Sequence, residues 1–200
     1  MSLSLTDLMR ESLLDPRAAT RRITGLELPT PILWQALAAV ICLTVLLEQA
    51  LFWIGGAGGP LPDPATLTVQ EQQILALTRL YAENPLMMAV IQGGFAVVAV
   101  YAITIVGRIC GGTGAFEDSL AMIAWFQTML LALQLLQALT GVVLPPLSGI
   151  VAIVTLVLFF YLLTMFTAEV HGFESPGMVF AMIIATMIAI AFSVTLLLTL

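Results

Sequence analysis

The chain has 200 residues, 60% of them hydrophobic and 9% charged, with a mean hydropathy of +1.09, a balance that excludes an ordinary soluble domain. Its formal charge is −6, lysine is absent, and the 6 basic side chains are scattered arginines, which argues against nucleic acid or anionic headgroups as main partners. Several separate runs of 18 or more largely uncharged residues also exclude a soluble domain on a single anchor. The expected class is an all-α integral membrane bundle.

Residues 1–31 form an N-terminal segment. Within residues 3–14, Leu5, Leu8, Met9 and Leu13 share one helical face, which predicts an interfacial amphipathic helix; Asp15-Pro16 breaks it before the basic "RAATRR". The short apolar core and small-residue cleavage site of a signal peptide are missing, so the first span is expected to stay in the mature protein. Residues 32–200 form the membrane domain, with predicted spans at 32–54, 86–107, 119–140, 148–168 and 177–199. Each makes a helix of about 30 Å, enough for one crossing. Between the first two spans, Thr68 and Glu71 have capping-box spacing. Ile74, Leu77, Thr78 and Tyr81 then recur at three and four residues, predicting an amphipathic helix over 68–84 that lies on the outer surface.

Arg10, Arg17, Arg21 and Arg22 precede the first span, and positive side chains near span ends stay on the cytoplasmic side. The N-terminus is therefore expected in the cytoplasm and the C-terminus outside, in the inner (plasma) membrane. The Arg108 loop then falls inside, and Arg79 is the single external arginine. Cys42 and Cys110 lack a pairing motif and read as reduced packing thiols.

The two cytoplasmic turns, "GAFEDSLAMI" and "HGFESPGMVFAMI", each place a small residue, a phenylalanine and a glutamate before a span. Glu117, Asp118 and Glu174 would meet the positive end of a helix dipole, and Ser119 or Ser175 could cap it. Gly111, Gly112, Phe116, Glu117, His171, Gly172, Phe173 and Glu174 are accordingly the expected partner-binding surface. His171 is the chain's sole histidine and is expected on the surface of its turn, since Glu169 and Glu174 alone do not complete a metal site. Nucleophile elbows and phosphate loops are absent, and "GGTG" at 111–114 reads as a tight turn. No catalytic residue, metal or cofactor is therefore expected.

Small residues recur at four-residue spacing in the last span, at Ala181, Ala185, Ala189 and Ser193, and also at Ala124, Thr128 and Ala132, and at Ala89 and Gly93. They read as ridges that let backbones approach within a compact bundle. Polar side chains collect at one depth in the outer half of the membrane: Glu48 with Gln49, then Gln92, Gln134, Gln137, Thr155 and Ser193. Polar groups in a membrane need partners, so a buried hydrogen-bonded layer around Glu48 is expected. The competing possibility is a transport site, since ionisable residues in spans are functional candidates. Below that layer only Gln127 offers a continuation inward.

The basic "DPRAATRRI" before the first span, the "GGTGAFEDSLAMIAW" entering the third and the "AEVHGFESPGMVFAMI" entering the fifth together resemble the Ypt/Rab-interacting protein (YIP) family over nearly the whole chain. The resemblance implies a helical membrane domain whose eukaryotic relatives bind Rab-type GTPases and organise vesicle and Golgi membranes. Those relatives typically carry a longer N-terminal region with an aspartate-leucine-tyrosine-glycine-proline motif. Only about 30 residues precede the first span here, without that motif, which points to a bacterial-type member. The function expected is non-enzymatic: membrane organisation, or a scaffold subunit with a membrane-protein partner or second copy. A small transporter or channel is the alternative.

Overall fold

The computed structural model describes residues 4–54 and 67–199, with side chains at 74, 77–79, 81, 82 and 197–199 left aside. They form eight helices: α1 (Leu5–Leu14), α2 (Pro16–Thr24), α3 (Thr30–Ile54), α4 (Val69–Glu83), α5 (Pro85–Ile109), α6 (Phe116–Val143), α7 (Pro145–His171) and α8 (Pro176–Thr199). Five of them, α3 and α5 to α8, are long and apolar enough to cross a bilayer. The chain is thus a multi-pass membrane protein, and lipid is its immediate surrounding.

Helix ends follow local chemistry. Pro85, Pro145 and Pro176 each open a span, where a missing N–H costs nothing because the first turn has no acceptor for it. α5 and α7 stop in the same way. Gly111 and Gly172 take left-handed φ values of 92° and 71°, the Gly112 and Phe173 N–H groups donate back to Gly107 and Ala168, and the helices close in Schellman turns. Asp15 breaks α1 from α2 and caps the latter by accepting from the Ala18 N–H. At α4 the capping box forms: the Thr68 N–H and hydroxyl donate to Glu71 and hold its carboxyl below the usual range. The apolar face expected on α4 from Ile74, Leu77, Thr78 and Tyr81, and the external Arg79, lie outside the described side chains.

α6 is the central post. Its residues Ser119 to Ala124 are buried on every side. α3 lays Leu33, Leu37, Ile41 and Val45 along it, one stripe at four-residue spacing. α5 contributes Ala96, Val100 and Thr104, and α7 adds Leu162 and Phe166. α8 leans on α7 through Val179 and Ile183. Burial concentrates at the end carrying α1 and α2, here called the arginine end. Toward the α4 end the helices separate, and Leu147, Ile150, Ile153, Leu156 and Val157 of α7 are exposed.

Several expectations need correction. Ala181, Ala185 and Ala189 line the exposed side of α8, which packs within the chain through Val179 and Ile183 instead. Val179 and Ile183 reach Ala168 and Phe173, and beside them a cavity of about 120 Å³ stays open between α5, α7 and α8. Cys42 and Cys110 are free thiols and exposed rather than in the core. α1, expected at the membrane interface, docks through Leu8 and Ser12 and leaves Leu5, Leu13 and Leu14 exposed, a face open to that interface.

Candidate functional site

Two polar regions stand at opposite ends of the bundle. At the arginine end, three stretches distant in sequence meet. Arg21 and Arg17 of α2 pair with Glu169 of α7 at 2.8 and 3.9 Å, and Arg17 also donates to the Phe173 carbonyl at 3.1 Å. Ser12 of α1 accepts from Trp125 Nε1 of α6 at 2.8 Å, while its own hydroxyl closes on the Leu8 carbonyl. The N-terminal helix pair is thereby fastened to α6 and to the α7–α8 turn.

Beneath it lies His171. Contrary to its expected surface position, the imidazole is 2% exposed. Glycine makes room for it. A Cβ on Gly107 would stand 2.6 Å from ring Cδ2, and one on Gly112 at 2.6 Å from Nδ1; at Gly114 it would meet ring Cε1 at 2.9 Å. Nδ1 accepts from the Gly114 N–H at 3.2 Å, which leaves Nε2 as the protonated nitrogen of a neutral ring. The Thr113 N–H donates to the His171 carbonyl, so the two turns are joined through backbone as well. Phe173 stacks on the ring at 5.7 Å and is itself buried. "GGTG" is therefore a tight turn and also the wall of a histidine socket.

Phe116 is half-buried between Trp34 and Tyr101, with ring centroids at 6.3 and 5.3 Å. Gly111, Glu117, Gly172 and Glu174 are exposed, and Gly112 is half-buried. Of the two serines, Ser175 caps α8 by accepting from the Met178 N–H at 3.4 Å. At α6 the capping group is Asp118, which accepts from the Ala115 N–H at 3.2 Å, while Ser119 is buried and bonds its own helix.

The second region surrounds Glu48 in the half nearer α4. Gln92 Nε2 donates to Oε2 at 2.6 Å and Gln134 Nε2 to Oε1 at 3.3 Å. Gln137 and Thr155 join them in lining a groove of about 330 Å³, which Thr44 and Gln127 extend toward the membrane centre. Gln49 is half-buried, about 100° round the helix from Glu48 and outside that lining. Ser193 does not join the layer: it is exposed and donates to Ala189, the carbonyl one turn back in its own helix. α8 departs from the bundle before reaching that depth. Toward the arginine end the space is filled by Leu37, Leu120, Ile123 and Phe126.

These three stretches, "DPRAATRRI", "GGTGAFEDSLAMIAW" and "AEVHGFESPGMVFAMI", fall inside a match of residues 10–198 to the Yip1 domain. The chain belongs to the Yip1 domain family. No curated protein and no solved structure matches it. Yip1 proteins are generally non-enzymatic membrane proteins. In this Yip1 chain the residues not singled out from the sequence are Ser12, Gly107 and Trp125, and Gly114 was read only as part of a tight turn. The clue that was available is charge: a basic run at the first span and a glutamate at the end of the fourth can face each other only if the N-terminal segment folds back.

Proposed function

We propose that this chain is a bacterial-type family member acting in the inner (plasma) membrane as a non-enzymatic organiser, the scaffold subunit of a larger membrane assembly. The arginine end faces the cytoplasm, in keeping with the arginine bias of the loops. The observation that carries this function is the fastening of α1 and α2 to the α7–α8 turn through Arg17, Arg21 and Glu169, which makes one continuous polar face from segments that would otherwise be separate. Glu117 and Glu174 stand exposed on that face, and Gly111 and Gly172 keep it low. Loops that are held rigid and polar above a membrane suit recognition by a partner protein.

A photo-reactive residue at Glu174 should give one discrete protein adduct in the native membrane, whereas the same residue at exposed Val157 of α7 should capture lipid. Lipid capture at both positions would remove the scaffold function. Transport remains the second reading, because Glu48 sits in an open groove. It is disfavoured by the apolar packing that fills the other half of the bundle. Flux in reconstituted vesicles that is present in the wild type and absent in Glu48→Gln would replace the scaffold with a transporter.

A further inference from the structure

We propose that the groove around Glu48 is a binding site for a primary ammonium group carried on an apolar stem. The site lies at the other end of the bundle from the partner face and does not depend on the scaffold function.

Its lining interleaves two kinds of side chain: Glu48 with the four carboxamides of Gln92, Gln127, Gln134 and Gln137, and the apolar Phe95, Leu130 and Leu131 within a turn of them on the same helices. Glu48 keeps acceptor capacity to spare: its carboxyl oxygens offer about four lone-pair directions, and Gln92 and Gln134 each use one. Each of those amides donates one of its two N–H groups and keeps its carbonyl oxygen as a further acceptor. An ammonium head is the complement, with three N–H donors and no acceptor.

Charge points the same way. The described ion pairs, Arg17 and Arg21 with Glu169 and Arg22 with Glu11, all lie at the arginine end. The side chain of Arg79, on α4, lies outside the described residues. A carboxylate inside a span is stabilised by a cation that shares its site. Size then selects among cations. About 330 Å³ is the room of roughly ten waters, far more than a bare metal ion fills. The apolar side chains among them accommodate an alkyl stem. An amine in solution and the ethanolamine headgroup of a lipid both present this chemistry.

The test uses full-length protein in mild detergent, titrated with n-butylammonium and followed by thermal shift and ligand-observed NMR. The wild type should show saturable binding, and Glu48→Gln, which keeps shape and amide partners, should bind about tenfold more weakly or worse. Tetramethylammonium, with the charge but no N–H, should not match it. Should Glu48→Gln fail to fold, Gln127→Leu at the deep end of the groove should weaken binding in the same direction. In nanodiscs, competition by phosphatidylethanolamine but not phosphatidylcholine assigns the site to a headgroup, and equal binding in both assigns it to a free amine. No saturable binding by the wild type, equal binding by Glu48→Gln, or equal binding of tetramethylammonium overturns the site. The partner adduct at Glu174 is untouched by any of these results.

Discussion

His171 has room because three glycines withhold their side chains from it, and this sets the cost of the smallest possible substitution. Gly107→Ala places a methyl group against a ring held on its far side by the Gly112 and Gly114 backbone. Neither neighbour can shift easily, so a loss of about 1–3 kcal/mol is expected. Gly94, with nothing within 4 Å of its would-be Cβ, is the control, and Gly94→Ala should leave the melting temperature unchanged or higher. Equal melting of the two variants would show that the socket is loose. At the opposite end, Glu48→Leu strands the Gln92 and Gln134 amides and should cost about 1–2 kcal/mol, whereas Glu48→Gln keeps hydrogen-bonding capacity and should melt near the wild type. Denaturation in mild detergent reads both. The pairing of Glu48 with Gln92 and Gln134 was legible in the sequence because polar residues are rare in spans and depth can be counted along a helix; the exposure of Ser193 was not. The histidine socket was not, because it depends on how closely α5 approaches α7. Composition does not encode that distance.

At the scale of elements, the number and order of the five spans were legible, with ends displaced by up to about three residues. Their apolar runs are long; proline in the first turn accompanies the earlier starts of α3, α5, α7 and α8 and glycine the later stops of α5 and α7, whereas α6 outruns its predicted span at both ends without either. Helix pairing was less accessible, since alanine at four-residue spacing is equally compatible with protein and with lipid. α8 separates the two. Ile183 packs against α7, so Ile183→Ala should destabilise the single chain by about 2 kcal/mol, the low end of the range for aqueous cores because lipid removes the transfer term. Ala185 is exposed, so Ala185→Leu should leave melting unchanged. Any effect it has should appear in the oligomeric state, measured by crosslinking in membranes or by mass in detergent. A large drop in melting temperature for Ala185→Leu, with none for Ile183→Ala, would mean that α8 is rotated about its axis.

The molecule as a whole is closed at one end and open at the other. The tight end collects five arginines, both Schellman turns and the docked N-terminal helices, and the loose end holds a polar groove among splayed spans. Such a division suits a protein that presents a fixed face on one side of a membrane. Orientation is checked with the native cysteines. Cys110, at the arginine end, should resist a membrane-impermeant thiol reagent in sealed cells and react in inverted vesicles. Cys42, exposed on a span, should stay unreactive in both because thiolate chemistry needs water. Reaction of Cys110 from outside would reverse the assignment of sides.

The central claim is that docking of α1 and α2 through Glu169 creates the face a partner recognises. The most direct measurement is the yield of the Glu174 photo-adduct in native membranes for the wild type, for Glu169→Arg, and for the charge-swapped Arg21→Glu/Glu169→Arg, which keeps the Arg17 donor to the Phe173 carbonyl. The account predicts a strong adduct in the wild type, its loss in Glu169→Arg without loss of membrane-inserted protein, and its return in the charge-swapped chain. An adduct that persists in Glu169→Arg, or that stays absent after the swap, would contradict it.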